Sequence, residues 1–226
     1  MWQNKYLFFF LLCVWASKTQ AQTTTNRANY YLLGPLAGVG LSWGSRGDLK
    51  DKMYLKLPGA STQFGLSFYK YLKTENAIGV SLLYQQNKWA FSTKQETVNL
   101  QPDTKYSVNE KSIVLPIEFN HLFTPYVARM FFGLGVVPAY SVGKTLQRMK
   151  DNAGDTTTAV IYPELKSYPR FAMGFTAKIG TDLDFDFKYT GRLFLEFKGQ
   201  YYGAKEKKAS HTYGVFLVAQ FFFSEL

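Results

Sequence analysis

Residues with catalytic potential are few in this sequence. It contains two histidines and one cysteine. A hydrolase or acyltransferase of the Ser–His–carboxylate type needs its serine, histidine and acid within hydrogen-bonding reach of one another. Ser210 and His211 are adjacent, with Glu206 nearby, but neighbouring side chains on a strand cannot easily form a nucleophile–base pair. We therefore predict no enzyme activity, with Ser210 and His211 kept as weak candidates for the alternative, a lipid-A-modifying deacylase or acyltransferase.

Metal and cofactor sites are equally poor in candidates. The single cysteine, Cys13, lies in the N-terminal segment that we predict to be a cleaved signal peptide. The mature chain would therefore have no thiol for disulfides or thiolate metal sites. Two histidines without a cysteine do not favour a transition-metal site. The stretch Gly38–Gly44 misses the dinucleotide fingerprint by one position and lacks a following helix. We predict no metal and no cofactor.

The remaining chemistry-bearing residues are charges that recur with period two. By parity, one face of the extended segments carries Glu118, Arg129, Lys178, Arg192, Glu196 and Lys198. Charges that point into an interior must be paired. This pattern predicts a salt-bridged network that closes a lumen, with Glu196 and Lys198 as the expected neighbours of Glu118. A proton or ion path is the alternative.

The segment 112–142 shows which elements position these charges. Two runs of alternating apolar and small or polar residues flank a corner at Leu122–Tyr126, a pattern that predicts an antiparallel hairpin. Further alternating segments predict six more strands, at about 31–44, 62–71, 77–87, 170–180, 192–202 and 213–223. The predicted long polar loops are 45–60, 88–111, 144–168 and 204–211.

The eight strands predict an all-β fold, an eight-stranded antiparallel transmembrane β-barrel. Long polar connections alternate with shorter turns, as in outer-membrane barrels whose termini are periplasmic. Glycines gather on the face opposite the apolar one, which suits a narrow, filled interior. A periplasmic lipocalin-like or sandwich domain is the alternative. With 18% aromatic residues, outward rings are expected to form interfacial girdles: Trp43, Tyr84, Tyr140 and Tyr213 near the outer rim, and Phe68, Phe119 and Phe223 near the inner rim.

The N-terminus has the features of a secretory signal peptide. Lys5 precedes an apolar run, and Thr19–Ala21 provides a small-residue end. We predict residues 1–21 as a signal peptide cleaved after Ala21, with Ala16 as a second candidate site. Residues 22–29 then form a short lead, and residues 30–226 form the barrel.

The charge balance points to anionic partners. The chain has a net charge of +10, and loss of Lys5 and Lys18 with no acid leaves +8. An exported chain rarely meets nucleic acid, so lipid headgroups or lipopolysaccharide phosphates are the expected partners. Solubility of the loops is the alternative explanation. An envelope protein bound through the loops is a further possible partner.

Short motifs in the same region resemble a known family. The stretch Val114–Phe119 (VLPIEF), Pro125–Val127 and the glycine-rich Phe132–Gly135 with Val137–Pro138 resemble the PorT-like outer-membrane β-barrel family of Gram-negative bacteria. The resemblance implies an outer-membrane barrel of about eight strands. It also suggests an accessory role in protein secretion or envelope organisation.

The C-terminus departs from that family's pattern in one respect. Such barrels usually end on an aromatic residue that the insertion machinery reads, whereas here Phe221–Phe223 is followed by three more residues. We expect the barrel-insertion machinery to read this end. Taken together, the sequence predicts a small closed outer-membrane barrel with a structural or interaction role.

Overall fold

The computed structural model describes residues 31–46, 53–73, 75–93, 105–123, 129–148, 159–160, 170–186, 189–203 and 210–223. The regular elements in this part of the chain are β-strands. Their bounds are β1 Tyr31–Arg46, β2 Met53–Lys73, β3 Asn76–Thr93, β4 Lys105–Val114, β5 Ile117–Phe123, β6 Met130–Val136, β7 Ala139–Arg148, β8 Ala159–Val160, β9 Phe171–Asp186, β10 Tyr189–Tyr202 and β11 Ser210–Phe223.

The strands form one closed antiparallel ring. β1 pairs with both β2 and β11, so the first and last strands seal the barrel. β4 pairs with the second half of β3, and β5 pairs with the first half of β3. In the same way, β7 and β6 pair with successive parts of β9. The two-residue β8 pairs only with the outer end of β7. Eight long strands therefore make up the wall, and the predicted eight-stranded barrel is confirmed.

Two prolines explain why two of the eight long strands are each divided into two elements. Pro116 and Pro138 have no N–H, so each accepts a ladder bond without returning one. The N–H of Ser81 donates to the Pro116 carbonyl at 3.0 Å, and the N–H of Leu115 donates to the Pro138 carbonyl at 2.9 Å. The register is the same on both sides of the interruption. Each pair of elements is one continuous strand that lacks one rung.

The barrel is strongly sheared. A row of directly paired residues that starts at Leu33 passes once around the wall and returns to β1 at Trp43, ten residues farther along. The intermediate partners are Phe68, Val80, Ile117, Val136, Phe175, Gly199 and Tyr213. Such a stagger requires tilted strands, typically by about 40°. Residues that are close across the lumen therefore come from different positions along their strands.

Several strands extend farther than the sequence predicted. The prediction of a loop over 88–111 is wrong at both ends, because β3 continues to Thr93 and β4 begins at Lys105. The loop bounds 45–60, 144–168 and 204–211 are likewise too wide, since β2, β7 and β11 each occupy part of them. The predicted strands were defined by the alternation of apolar with small or polar residues. Because the outward residues beyond the lipid are polar, this alternation ends before the hydrogen-bonded pairing of the strands ends. Residues 47–52, 94–104, 149–158, 161–169 and 204–209 lie outside the described residues.

The two faces of the wall differ as predicted. Large apolar side chains on the outward face are exposed, among them Leu41, Phe64, Leu82, Leu134, Ile179 and Leu217. Glycines on the inward face make room for bulky neighbours: a Cβ at Gly44 would strike the indole of Trp89, and one at Gly79 would strike the ring of Tyr69. The inside of the barrel is therefore packed, and glycines replace larger residues on the inner face where the largest aromatic rings lie against the wall.

Candidate functional site

The lumen holds a buried ionic cluster at its centre, formed by Glu118, Lys178, Glu196 and Lys198. The ammonium of Lys178 lies 2.7 Å from Glu118 Oε2 and 3.4 Å from Glu196 Oε1, so it bridges the two carboxylates. The ammonium of Lys198 lies 3.2 Å from Glu196 Oε2. All four side chains are buried. Two acids and two bases make the cluster neutral, as a desolvated site requires.

Neutral donors and acceptors complete this central cluster. Gln63 donates from Nε2 to Glu196 Oε2 at 2.7 Å and accepts from Lys198 Nζ at 2.5 Å. The hydroxyl of Tyr69 donates to Glu118 Oε1 at 2.8 Å, and that of Thr176 donates to Glu196 Oε1 at 3.0 Å. Hydrogen bonds of this kind let ion pairs persist away from water. The cluster ties β2, β5, β9 and β10 together across the lumen.

A second ionic cluster lies nearer the periplasmic end, formed by Arg192, Asp182 and Tyr71. Arg192 Nε donates to Asp182 Oδ1 at 2.7 Å, and Arg192 Nη2 donates to the Tyr71 hydroxyl at 2.7 Å. The guanidinium carbon also lies 4.7 Å from the centre of the Phe131 ring and 5.4 Å from that of Phe222. A cation held over aromatic faces gains cation–π attraction. Charge and rings together fill this level of the lumen.

The pairing of β9 with β10 is the local reason for both clusters. Glu196 lies directly opposite Lys178, and Arg192 lies directly opposite Asp182. Opposite charges in directly opposed positions stabilise an antiparallel pair. The two pairs are four residues apart along each strand, so all four side chains point to the same, inward face.

A third polar layer lies toward the outer end. The ammonium of Lys144 lies 3.7 Å from Glu110 Oε2, and the hydroxyl of Thr212 donates to the same oxygen at 3.2 Å. Gln85 donates to Asn87 at 2.8 Å. Above this layer the lumen is covered by an aromatic and aliphatic cap of buried side chains, Trp89, Phe91, Tyr106, Val108 and Leu146.

The structure places the predicted lumen charges as follows. Glu118, Lys178, Arg192, Glu196 and Lys198 are buried inside the barrel. Arg129 is half-buried just before β6, and its carbonyl accepts from the N–H of Asp182 at 2.9 Å. The expected neighbours of Glu118 were wrong in one respect: the cation in contact with it is Lys178 rather than Lys198. The reason is the shear of the barrel. Because the strands are staggered, Lys178 is the residue of β9 that lies at the same height along the barrel axis as Glu118.

Three lumen charges were missed by the sequence reasoning: Glu110, Lys144 and Asp182. Asp182 continues the inward parity of Lys178, and Glu110 continues that of Glu118 across Pro116. That parity is a usable signal, but Glu110 lies in the predicted loop 88–111 and Asp182 lies beyond the predicted end of the strand at about residue 180. Lys144 could not be found this way, because the register shifts between Lys111 and Ser112 in the pairing of β4 with β7.

The predicted girdle residues lie on the outward face. At the outer rim, Trp43 and Tyr213 have ring centres 6.3 Å apart, and Tyr84 lies 5.2 Å from Phe64. The hydroxyl of Tyr140 accepts from Arg170 at 3.3 Å. At the inner rim, Phe68 stacks on Tyr31, Phe223 packs against Tyr189, and Phe119 is exposed.

The weak catalytic candidates are separated by the strand itself. Ser210 and His211 belong to β11 rather than to a loop. Ser210 is buried in the lumen, whereas His211 points outward and stacks on Tyr201 with ring centres 5.3 Å apart. Because successive side chains alternate between faces, these two cannot act as a nucleophile–base pair. His121 lies far from both, within 2.8 Å of Asn76 Oδ1.

The described residues contain neither a candidate metal-ion site nor a helix suited to cross a membrane. Their histidine, cysteine and acidic side chains nowhere form a group of three placed to hold a metal ion. A helix long and apolar enough to cross a membrane is likewise not found among them.

Comparison with known proteins places the chain in a family. The model of the outer membrane protein beta-barrel domain matches residues 20–203. The crystal structure of OprG from Pseudomonas aeruginosa is similar with a TM-score of 0.50 and 9% identity, covering 88% of this chain and 97% of OprG; this similarity shows the fold alone. Neisserial surface protein A is similar with a TM-score of 0.42 and 9% identity, covering 85% of this chain and 97% of that protein. No curated protein matches by sequence. The chain belongs to the outer membrane protein β-barrel domain family, and its location is the outer membrane.

Proposed function

We propose that this protein is a closed outer-membrane barrel that acts through its outer surface, in a structural or interaction role, and does not conduct solutes. The observation that carries the proposal is the filled lumen. The Arg192–Asp182 cluster, the central ionic cluster and the aromatic cap follow one another along the barrel axis, and their side chains are buried. A solute would have to displace each of these layers in turn.

The energetics of the central cluster support a permanent closure. Separating one buried ion pair leaves an uncompensated charge, at a cost of about 3–5 kcal/mol. Opening a path past Lys178 breaks its contacts with both Glu118 and Glu196. The free energy needed is therefore comparable to the stability of a whole small domain. A path that opened spontaneously would be very rarely populated.

The finer role follows from the resemblance to PorT-like barrels. We propose that the protein is an accessory of protein secretion or envelope organisation. Its partner would be an envelope protein that binds the segments beyond the membrane. Delivery would use the predicted signal peptide of residues 1–21, and assembly would use the barrel-insertion machinery reading Phe221–Phe223.

Conductance of the purified, folded barrel tests the closure. In planar bilayers we expect no steady channel currents from the wild-type protein, and in liposomes no swelling with sugars. An open general porin reconstituted in the same membranes is the positive control, because it shows that both assays detect solute passage. Steady sugar passage through the wild-type protein would contradict the proposal.

Two further measurements test the role. Affinity capture of the tagged protein from native outer membranes should retain an envelope protein, and a tagged barrel of similar size is the control. The lipid A of a deletion strain should have an unchanged mass spectrum. An extra acyl chain on the lipid A of the deletion strain would instead support a deacylase, and a missing one would support an acyltransferase.

A further inference from the structure

The charges of the barrel wall are sorted by sign. Among the acidic side chains whose surroundings the structure describes, four are buried in the lumen, and only Glu75, in a periplasmic turn, is exposed. The exposed cations whose surroundings the structure describes lie in the outer half of the barrel: Lys56, Lys88, Lys105, Lys111 and Arg170. Folding therefore hides negative charge and leaves the outer half of the wall with positive charge.

Two of these lysines lie close together on the outward face of β3 and β4. Gln86 is paired with Lys111, and Lys88 is paired with Asn109, so the four side chains occupy the corners of a square. The two amides hydrogen-bond along one diagonal at 2.9 Å. The two lysines occupy the other diagonal, where Cβ atoms are about 7–8 Å apart. Like charges at this separation repel each other, and an anion bound between them would offset that repulsion.

Arg170 adds a third cation on the neighbouring part of the wall. Its carbonyl accepts from the N–H of Ser141 at 2.6 Å, which fixes its position beside β7. Its guanidinium donates to the hydroxyl of Tyr140, a girdle residue, at 3.3 Å. Since Tyr140 is paired with Ile113 of β4, Arg170 and Lys111 lie on the same stretch of outward wall.

The shear allows the heights of these residues to be compared. At a tilt of about 40°, moving one residue along a strand changes the height along the barrel axis by about 2.5 Å. Moving one step to the next strand along a row of paired residues changes that height by about 3 Å. Following the rows from Tyr84, the Cα atoms of Lys88, Lys111 and Arg170 lie about 8–12 Å farther outward. The girdle residues Tyr140, Tyr213 and Trp43 lie about 5–8 Å farther outward by the same measure.

The three cations therefore form a belt immediately above the aromatic girdle. In an outer membrane, aromatic rings mark the boundary of the hydrocarbon. The first anionic groups beyond that boundary in the outer leaflet are the phosphates of lipopolysaccharide. Lysine binds phosphate as a point charge, and arginine can bind it in a bidentate manner.

We propose that Lys88, Lys111 and Arg170 form a binding site for the phosphate groups of lipopolysaccharide on the outer wall of this barrel. The lipid's acyl chains would lie along the exposed apolar side chains below the site, such as Leu82 and Ile113. The site depends on the outer-membrane location and not on closure of the lumen, so a conducting barrel would leave it intact.

Binding of purified lipid A to the full-length folded protein tests the site. The variant is Lys88→Gln with Lys111→Gln, and the probes are bisphosphorylated lipid A and the same lipid A after phosphatase treatment. Each cation near a lipid surface contributes about fivefold in affinity, so the double variant should bind bisphosphorylated lipid A about thirtyfold more weakly. Heat-modifiable gel mobility shows that each variant is folded.

A charge-matched control separates the site from net charge. Lys70→Gln with Lys105→Gln also removes two cations, one near the periplasmic end and one about 15 Å beyond Lys111 on the same strand face. This control should bind as the wild-type protein does. Equal weakening by both double variants would overturn the proposal, as would equal affinity for the two lipid probes. Sucrose octasulfate displacing lipid A at equal concentration would point instead to a sulfated-glycan site.

Discussion

The substitution Glu196→Gln should destabilise the folded barrel strongly. The side chain keeps its size but loses the charge that contacts both Lys178 at 3.4 Å and Lys198 at 3.2 Å. The cluster would then contain two buried ammonium groups but a single carboxylate, that of Glu118, which contacts only Lys178 of the two. Breaking a buried pair on one side costs about 3–5 kcal/mol, so we expect the free energy of unfolding to fall by that amount.

Urea unfolding in lipid vesicles measures this loss, with tryptophan fluorescence as the signal. The matched control is Glu75→Gln, the same chemical change at an exposed periplasmic turn, where we expect a change of about 0.5 kcal/mol or less. The assay needs both variants to unfold with the same slope in urea, because a changed slope would indicate an altered unfolded state.

A second substitution distinguishes charge imbalance from loss of shape. Adding Lys198→Met to Glu196→Gln restores neutrality, and the Met side chain approximately fills the space of the removed lysine stem. The double variant should be more stable than the sum of the single changes predicts, by more than about 1 kcal/mol. If the two changes are additive, or if Glu196→Gln costs less than about 1 kcal/mol, the ionic cluster does not hold the lumen together.

Three other substitutions probe other features. Arg192→Met removes the buried guanidinium that donates to Asp182 and to the Tyr71 hydroxyl, so we expect a loss of about 3–5 kcal/mol in the same unfolding assay; a loss below about 1 kcal/mol would contradict this. Gly44→Val places branched carbon against the Trp89 ring, which should cost about 1–3 kcal/mol, whereas a neutral effect would mean that the cap is loosely packed. His211→Ala should leave the lipid A mass spectrum of a complemented deletion strain identical to that of the wild type, and any altered acylation would revive the enzyme alternative.

Period-two alternation predicted the part of the fold that lies in lipid. There the outward side must be apolar, so every strand from β1 to β11 that crosses the membrane carries the signal. Beyond the lipid both faces can be polar, and residues such as Lys88 and Asn109 no longer distinguish a strand from a loop. That is why the outer ends of β3 and β4 were predicted as loop although they are fully paired.

Parity predicted which charges point inward but not which of them touch. Contact across the lumen depends on the stagger of the strands, and the row that starts at Leu33 and ends at Trp43 shows how large it is. The stagger of the strands around the barrel cannot be predicted from a single sequence. Glu118 was therefore assigned the wrong lysine, although it was placed on the correct face.

The outer extension of the strands affects how this protein can be recognised. β2 has 21 residues, which at the expected tilt corresponds to a height of about 50 Å, whereas the apolar band of such a barrel is about 25 Å tall. Much of the described chain that lies outside the membrane is thus a hydrogen-bonded collar of paired strands. A collar of paired strands is already ordered before a partner arrives, so binding to it loses little conformational entropy and favours one fixed orientation.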